Sequence, residues 1–425
     1  MSAAVPPLRV AVVIESFNPA AGGNERSTDQ ILRELVARGH QPTLVTGFAP
    51  TGLSSPGPPG EPAHSVVPPG VTLAAMADRK SSSVFRLARF APWARRQLRA
   101  GRFDTSLSVT MAVPARVLQP RGGTVRETLA RNLALRSSGL AREKKRLALA
   151  LDPKQRLLLA LERRTLANPL VHRVAALSRY VIRQLEQHYR FPAERTALLP
   201  NAAVMPTLTP QETAAHRARV RRDHRLPDHA VVYLMAAQNP VLKGFPTLLA
   251  ALARLRDAPP GSGSTADPSP GTPARPHPVA LLVGGFGPDQ QAAADALGLA
   301  DHVRVVGPAR DMSPYFAAAD VTVLPTWYDP SSKVVLESLM TATPAISTAY
   351  NGASDFIAPP GAPPRGRVVA DPGNAQELAR AMADLADPAA RAACAAACHG
   401  LADQLSMTRH VDTLETLLHD ARTPR

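Results

Sequence analysis

Short, mostly apolar runs the length of a β-strand recur along this chain, separated by stretches whose apolar residues return at helical spacing. Val10–Ile14, Thr43–Thr46, Val231–Met235 and Val279–Val283 form the first set; Thr28–Ala37 and Pro246–Leu255 form the second. Strands that read as continuously apolar are buried on both faces, and intervening helices cover those faces. The pattern therefore predicts parallel sheets of the α/β class in both halves of the chain. At 425 residues more than one hydrophobic core is expected, and two sheet domains account for both halves.

Two stretches have no period. Ala49–Gly70 and Asp257–Pro278 are rich in Pro, Gly and Ser and are expected to be exposed loops, the second inserted between a helix and the next strand. No run of 18 apolar residues occurs, and Leu8–Ile14 is a strand-length run with an acidic follower rather than a signal-peptide core, so a cytoplasmic location is expected. Cys394 and Cys398 stand four apart in an alanine-rich stretch. Helical geometry there is poor for a disulfide, so reduced thiols are expected. His399 adjoins them, but the set is short of ligands for a metal.

The formal net charge of +15 is unevenly spread: Lys80–Arg164 holds 20 Lys or Arg against 5 Asp or Glu, and the remainder balances. Within it, Leu140–Leu166 mixes Leu and Ala runs with Arg and Lys as a basic amphipathic helix pair would, which suits an anionic lipid surface. A membrane contact through residues 80–166 is expected, with a peripheral position on the inner face of the cytoplasmic membrane. Nucleic acid also attracts such charge. Aromatics are scarce here (Phe85, Phe90, Trp93, Phe103) and no stacking or recognition-helix signature accompanies them, so no nucleic-acid partner is expected.

The segment Thr326–Ile357 concentrates the chemistry. Asp329 and Glu337 bracket an expected helix start: Pro330 suits a first turn, Ser331 and Ser332 are capping types, and Val334–Met340 is apolar enough to pack inside a domain. Eight helical residues would set the two carboxylates roughly 12 Å apart. The helix start between them favours an anion through its unsatisfied N–H groups and its dipole. A sugar at Asp329, a diphosphate over Ser331, Ser332, Lys333 and Val334, and a ribose at Glu337 form one coherent elongated ligand.

YDPSSKVVLE at 328–337, followed by NGA at 351–353, resembles the E-x7-E signature of the retaining nucleotide-sugar glycosyltransferases of family 4, with Asp in the first position. It is especially similar to their lipopolysaccharide-core glucosyltransferase I branch. Other stretches resemble the family in its own order: Glu15–Gly47 with a glycine loop and an R-G-H turn, Ala175–Asn201 ending in P-N, and a K-G step at Lys243–Gly244. The resemblance implies the GT-B fold, α/β, with two Rossmann-like parallel-sheet domains facing a cleft. Residues 1–206 would be the acceptor-side domain, 207–405 the nucleotide-sugar-binding domain, and 406–425 a last helix packing back on the first domain. It implies transfer of a sugar with retention from a nucleotide-sugar, UDP-sugar first among donors, to a glycan or glycolipid acceptor in cell-envelope polysaccharide or lipopolysaccharide-type synthesis.

The resemblance also implies roles. Lys243 would neutralise the leaving diphosphate, while Asp329 and Glu337 would bind and orient the donor. Gly22 and Gly23 would bring backbone N–H groups to the diphosphate or sugar, Gly284 would wall the nucleotide site, and the loop of Gly307 and Arg310 would read the base edge. No metal and no further cofactor is implied. Where many relatives carry an Arg shortly before the lysine, Ala236–Pro240 offers only Gln238, and Lys333 or Arg310 is the expected replacement. Many relatives place a His in the first domain, yet none lies between Arg102 and Thr128; Arg121 in the loop Gln119–Gly123 is placed to meet an acidic acceptor. Asn351 reads equally as a ligand-loop residue and as a plain turn.

Two rival readings stay open on sequence alone. One is a catalytically degenerate member that binds nucleotide sugar and scaffolds assembly at the membrane, suggested by Asp329 and the missing Arg. The other is a nucleotide-sugar epimerase on the same fold, which would act without an acceptor.

Overall fold

The structure, a computed structural model, describes residues 6–19, 22–48, 67–76, 83–136, 138–258 and 277–422. Most of Ala49–Gly70 and of Asp257–Pro278 lies outside the described residues. The chain divides into two compact units, Met1–Ala202 with Ser406–Arg425, and Ala203–Leu405.

The first unit is built on a 7-stranded sheet of β1 (Arg9–Ser16), β2 (Gln41–Phe48), β3 (Thr72–Ala75), β4 (Thr105–Ser108), β5 (Val117–Leu118), β6 (Arg173–Ala176) and β7 (Thr196–Leu198). Its order is β3-β2-β1-β4-β5-β6-β7, with every pair parallel. The second is built on a 6-stranded sheet of β8 (Ala230–Ala237), β9 (His277–Gly284), β10 (Val303–Gly307), β11 (Val321–Leu324), β12 (Ala345–Thr348) and β13 (Gly366–Val369), in the order β10-β9-β8-β11-β12-β13 and again all parallel. In each sheet the strand order reverses once, between β1 and β4 and between β8 and β11. Sheets of this kind bind ligands at that reversal, beyond the carboxyl ends of the strands.

The apolar runs explain the burial. Val10, Val12 and Val13 of β1, and Val232, Leu234 and Met235 of β8, are fully buried, as strands covered on both faces must be. The helix after β1 spans Gly23–Ala37, five residues longer than the apolar spacing alone predicts. Ser27 and Thr28 supply the reason: their hydroxyls donate to the Gly23 and Asn24 carbonyls, so polar residues belong to the first turns.

That helix ends in the R-G-H turn. Gly39 takes a left-handed conformation (φ 83°), which glycine adopts without steric cost. The residues on either side then grip the last helix of the chain, Met407–Asp420. Arg38 pairs with Asp412 at 2.8 Å and Glu415 at 2.9 Å, while buried His40 accepts from the Leu8 N–H through Nδ1 and meets Glu415 Oε1 through Nε2 at 2.8 Å. Val411, Leu414 and Leu418 of the last helix are fully buried among Ile31, Leu32, Leu35 and Leu107. Each such side chain stabilises by roughly 1.5–3 kcal/mol, so this helix belongs to the core of the first unit.

Both cysteines are buried free thiols. Cys398 lies just past the end of the helix Pro388–Ala396 and donates to the Cys394 carbonyl; burial pushes its thiol up to about 11, so it is unreactive at neutral pH.

Candidate functional site

β8 and β11 are neighbours at the strand reversal of the second sheet, and the loops leaving their carboxyl ends are laced together. The Trp327 N–H donates to the Leu242 carbonyl at 2.9 Å, and the fully buried Thr326 hydroxyl lies 3.3 Å from the same carbonyl and 3.0 Å from that of Tyr328. Contact this close explains the K-G step. Gly244 has φ 86°, and a Cβ there would stand 2.0 Å from the Pro325 carbonyl oxygen, so only glycine fits. Lys243 is thereby aimed across the loops, and its Nζ donates to Asp329 Oδ2 at 2.6 Å and to the Tyr328 carbonyl at 3.3 Å.

Asp329 itself is not helical, contrary to the expected helix start at Pro330. Its backbone forms a parallel bridge with Asn351: the Asp329 N–H donates to the Tyr350 carbonyl and the Gly352 N–H to that of Asp329, both at 2.9 Å. This extended pairing delays the helix to Lys333–Met340, with Ser332 in the capping position and Pro330 outside. The roughly 12 Å helical separation of the two carboxylates therefore does not apply. Asp329 Oδ1 instead accepts from the Ser331 N–H at 3.0 Å, which turns the chain toward the helix.

Asn351 holds that turn in place. Its buried Oδ1 accepts from the Ser332 and Ala353 N–H groups at 3.2 and 3.0 Å, and its Nδ2 donates to Ser347 Oγ at 2.9 Å. The residue that sequence left between two roles is a brace for the helix start. Ser332 stands at the cap without a side-chain capping bond, and a helix start of this kind favours an anion through its dipole. The opposite face is fixed: Val335, Leu336 and Leu339 are fully buried, and Ser338 Oγ bonds Thr322 Oγ1 of β11 at 2.7 Å. Lys333 and Glu337, one helical turn apart, are half-buried on the other side.

Gly284 ends β9 at φ 111°, where a Cβ would lie 2.4 Å from the Ala237 carbonyl oxygen; Gly285 faces the Gln238 carbonyl at the same distance. This glycine turn therefore lies flush on the end of β8. Gly307 ends β10 at φ 85° with open space beside it, and Arg310 beyond it is exposed. Among the described residues no hydrogen bond links Arg310 to Lys243 or Asp329. In the second unit, then, the structure joins Lys243 to Asp329 directly, and Gly284, Gly307 and Asn351 share their sheet edge.

In the first unit Gly22 caps the helix Gly23–Ala37 without a side-chain bond, and a Cβ on Gly23 would meet nothing within 4 Å. Arg121 braces this start, its Nη1 donating to the Asn24 carbonyl at 2.9 Å and its Nε to Gln119 Oε1 at 3.0 Å. Desolvation pulls the guanidinium below its ordinary value, with Glu25 opposing. Glu15, at the carboxyl end of β1, was not among the sequence candidates. Burial pushes its carboxyl up, opposed by Lys154 and Arg86. An acidic residue ending an otherwise buried strand was the available signal.

The family model for "Glycosyltransferase Family 4" matches residues 21–203, and that for "Glycosyl transferases group 1" matches residues 229–388, one in each unit. This chain belongs to glycosyltransferase family 4. The family-4 chain is 23% identical over 220 residues to the lipopolysaccharide glucosyltransferase WaaG of Escherichia coli, covering 52% of this chain and 54% of that protein. It is 34% identical over 131 residues to a probable transglycosylase of Burkholderia thailandensis, covering 29% of this chain and 34% of that protein. The matched stretches thus span less than two thirds of these relatives. Among solved structures, WaaG aligns with a TM-score of 0.69 at 20% identity, over 96% of this chain and 99% of that one. HepE of Anabaena, solved in complex with UDP and glucose, aligns with a TM-score of 0.63 at 17% identity over 97% and 100%. These likenesses give the fold: two Rossmann-like domains of the GT-B type.

Proposed function

We propose that this family-4 protein is a retaining hexosyltransferase that takes a sugar from a nucleotide-sugar, a UDP-sugar, and passes it to a glycan or glycolipid acceptor in cell-envelope polysaccharide or lipopolysaccharide-type synthesis. The observation that carries the reading is the Lys243–Asp329 pair beside the Asn351-braced start of the helix Lys333–Met340. Departure of a nucleoside diphosphate builds negative charge on phosphate oxygens. A helix start and a fixed ammonium answer that charge where it develops, and one such preorganised group is worth about 2.7–4 kcal/mol of barrier. Asp329 holds Lys243 before the donor arrives. Sugar hydroxyls then take the carboxylate, Lys243 turns to the diphosphate, and Glu337 receives the ribose. Lys333 or Arg310 supplies the second cation, and no metal is required.

The acceptor side rests on the first unit. WaaG is a lipopolysaccharide glucosyltransferase and HepE was solved with UDP-glucose, which supports the donor and acceptor classes. The helix Gly139–Leu151 supports a peripheral membrane position. Leu140, Leu147 and Leu151 are 69%, 62% and 67% exposed and fall on one face with Lys144 among them, a surface suited to anionic lipid. Among the described residues no helix is long and apolar enough to cross a membrane.

A thermal-shift panel of UDP-, GDP- and ADP-sugars, run beside Glu337→Ala, tests the donor. Stabilisation by UDP-sugars that disappears in the variant is expected, because a ligand bound only to the native state raises its stability. Indifference to every donor would remove the donor reading. Stabilisation without transfer or donor hydrolysis would point instead to the degenerate scaffold, a reading favoured by the engaged Lys243 and by the exposed Gln238 where relatives carry Arg.

A further inference from the structure

A cavity of about 410 Å³ opens in the first unit where β4 and β5 begin, at the sheet edge opposite to the carboxyl ends that Gly22 follows. Three arginines line it. Arg95 and Arg99 stand one turn apart on the helix Ser83–Ala100, and Arg116 immediately precedes β5. Among the described residues no Asp or Glu lines the cavity, and Asp104, next in sequence to its Thr105 wall, is held by Arg9 at 3.0 Å. Arg95 Nε and Nη2 are buried without a hydrogen-bond partner. Buried guanidinium donors ordinarily find acceptors, so these two are available to an acceptor that enters the cavity.

The surroundings sharpen this. Desolvation pulls the Arg95 guanidinium below its ordinary value, and Arg164 and Arg99 add repulsion. Crowding like charges around one void is unfavourable until an anion neutralises them. Thr105, Ser106 and Asn168 add polar groups to the wall, while Leu98, Phe103, Pro114 and Leu170 make the rest apolar. The volume falls within the usual range of small-molecule sites and leaves room for carbon beside a phosphate.

We infer that this Arg95–Arg99–Arg116 cavity is a second anion site, separate from the donor residues, that binds a phosphate-bearing organic ligand with the phosphate on Arg95 and Arg99 and the carbon portion against Phe103 and Leu170. Two sources share that chemistry, a soluble phosphate monoester and the headgroup of an anionic lipid.

Calorimetric titration of the full chain with inorganic phosphate and with glycerol 3-phosphate tests the site. Lys243→Ala should keep both affinities, which separates this site from the donor diphosphate. Arg95→Gln should weaken both about tenfold or more, as expected for losing a charge-assisted bond. Its unliganded melting temperature should hold or rise, because the arginine has no partner there to lose. Arg99→Gln, on the exposed rim, repeats the test if Arg95→Gln fails to fold. Co-sedimentation with phosphatidylglycerol vesicles tells the sources apart: loss of vesicle binding in Arg95→Gln assigns a lipid headgroup, and loss of glycerol 3-phosphate binding alone assigns a soluble ester. Equal affinity in the wild type and both arginine variants, or no binding by the wild type at millimolar concentration, overturns the inference.

Discussion

Lys243 and Asp329 stand 86 residues apart in the chain and 2.6 Å apart in space, on loops leaving neighbouring strands. Each was assigned by sequence to a different part of the donor, yet each holds the other. The pair is partly exposed, so its direct contribution to stability is about 1 kcal/mol or less after solvent screening. Its greater effect is to keep a cation positioned at an anion-seeking helix start.

Lys243→Ala is expected to lower kcat about a hundredfold or more with a UDP-sugar donor, the scale of losing one preorganised charge donor. Asp329→Asn keeps an oxygen for the Ser331 N–H and removes the charge. It should cost turnover at least about tenfold, on the scale of one charge-assisted hydrogen bond, while the melting temperature falls by no more than about 4 °C. Wild-type turnover in Asp329→Asn would reduce the pair to a structural tie.

Two glycines separate fold from function. Gly244→Ala forces a Cβ into the Pro325 carbonyl at a left-handed φ, and should destabilise the second unit by about 3 kcal/mol, lowering its melting temperature by roughly 6–12 °C. Gly23→Ala meets open space in a helical first turn, so its melting temperature should stay within about 2 °C of wild type. If the backbone at Gly23 approaches the donor, the same change raises KM for it. Unchanged kinetics in a well-folded Gly23→Ala would remove this turn from the site.

Acidification should weaken the second unit through His277. Its ring stacks on His302 with centroids 4.3 Å apart, and desolvation pulls its imidazole below the ordinary value, aided by His302 and His229 and opposed by the Asp301 carbonyl. A depressed histidine is favoured neutral in the fold, so the unfolded chain binds more protons just below about pH 6.5 and stability falls as pH drops through that window. Glu15 and Glu162 act oppositely: their carboxyls are pushed up by burial, and the stability they contribute in acid is lost as pH rises past about 4.5. Urea unfolding of wild type and His277→Asn between about pH 5 and 8 isolates the histidine. The wild type should lose more stability than the variant below about 6.5, and parallel curves would discard this assignment.

Charge reversal on the exposed helix tests the membrane position. Basic residues near an anionic surface contribute about 1 kcal/mol each, so Lys144→Glu with Lys145→Glu should lower partitioning onto phosphatidylglycerol vesicles by more than about thirtyfold at low salt. No change, or no partitioning by the wild type, would leave the exposed leucines unexplained by lipid.

The strands were legible because burial on both faces leaves an unbroken apolar run, as at Val10–Ile14 and Val231–Met235. At the candidate site the sequence singled out Lys243 and Asp329 by residue type, while their mutual contact could not be read from it. Nothing local to Pro330 shows that Asp329 pairs with a segment 22 residues onward, and that pairing moves the helix start to Lys333. The Lys243–Asp329 contact and the arginine cavity share this cause, since each is assembled from segments that only the sheet order brings together. Gly244 is the reverse case: the residue was recognised from its neighbour, and its reason, the Pro325 carbonyl, was invisible in one dimension.

The last helix closes the core of the first unit, while the second unit runs uninterrupted from Ala203 to Leu405. On the ribosome, where domains ordinarily fold in the order they emerge, this chain presents a finished second sheet before Val411, Leu414 and Leu418 exist to seal the first. The earlier-made half must wait with the Leu32 and Leu107 surface open. The connectivity, rather than the sequence around it, sets when the first core is completed: after Met407–Asp420 has been made.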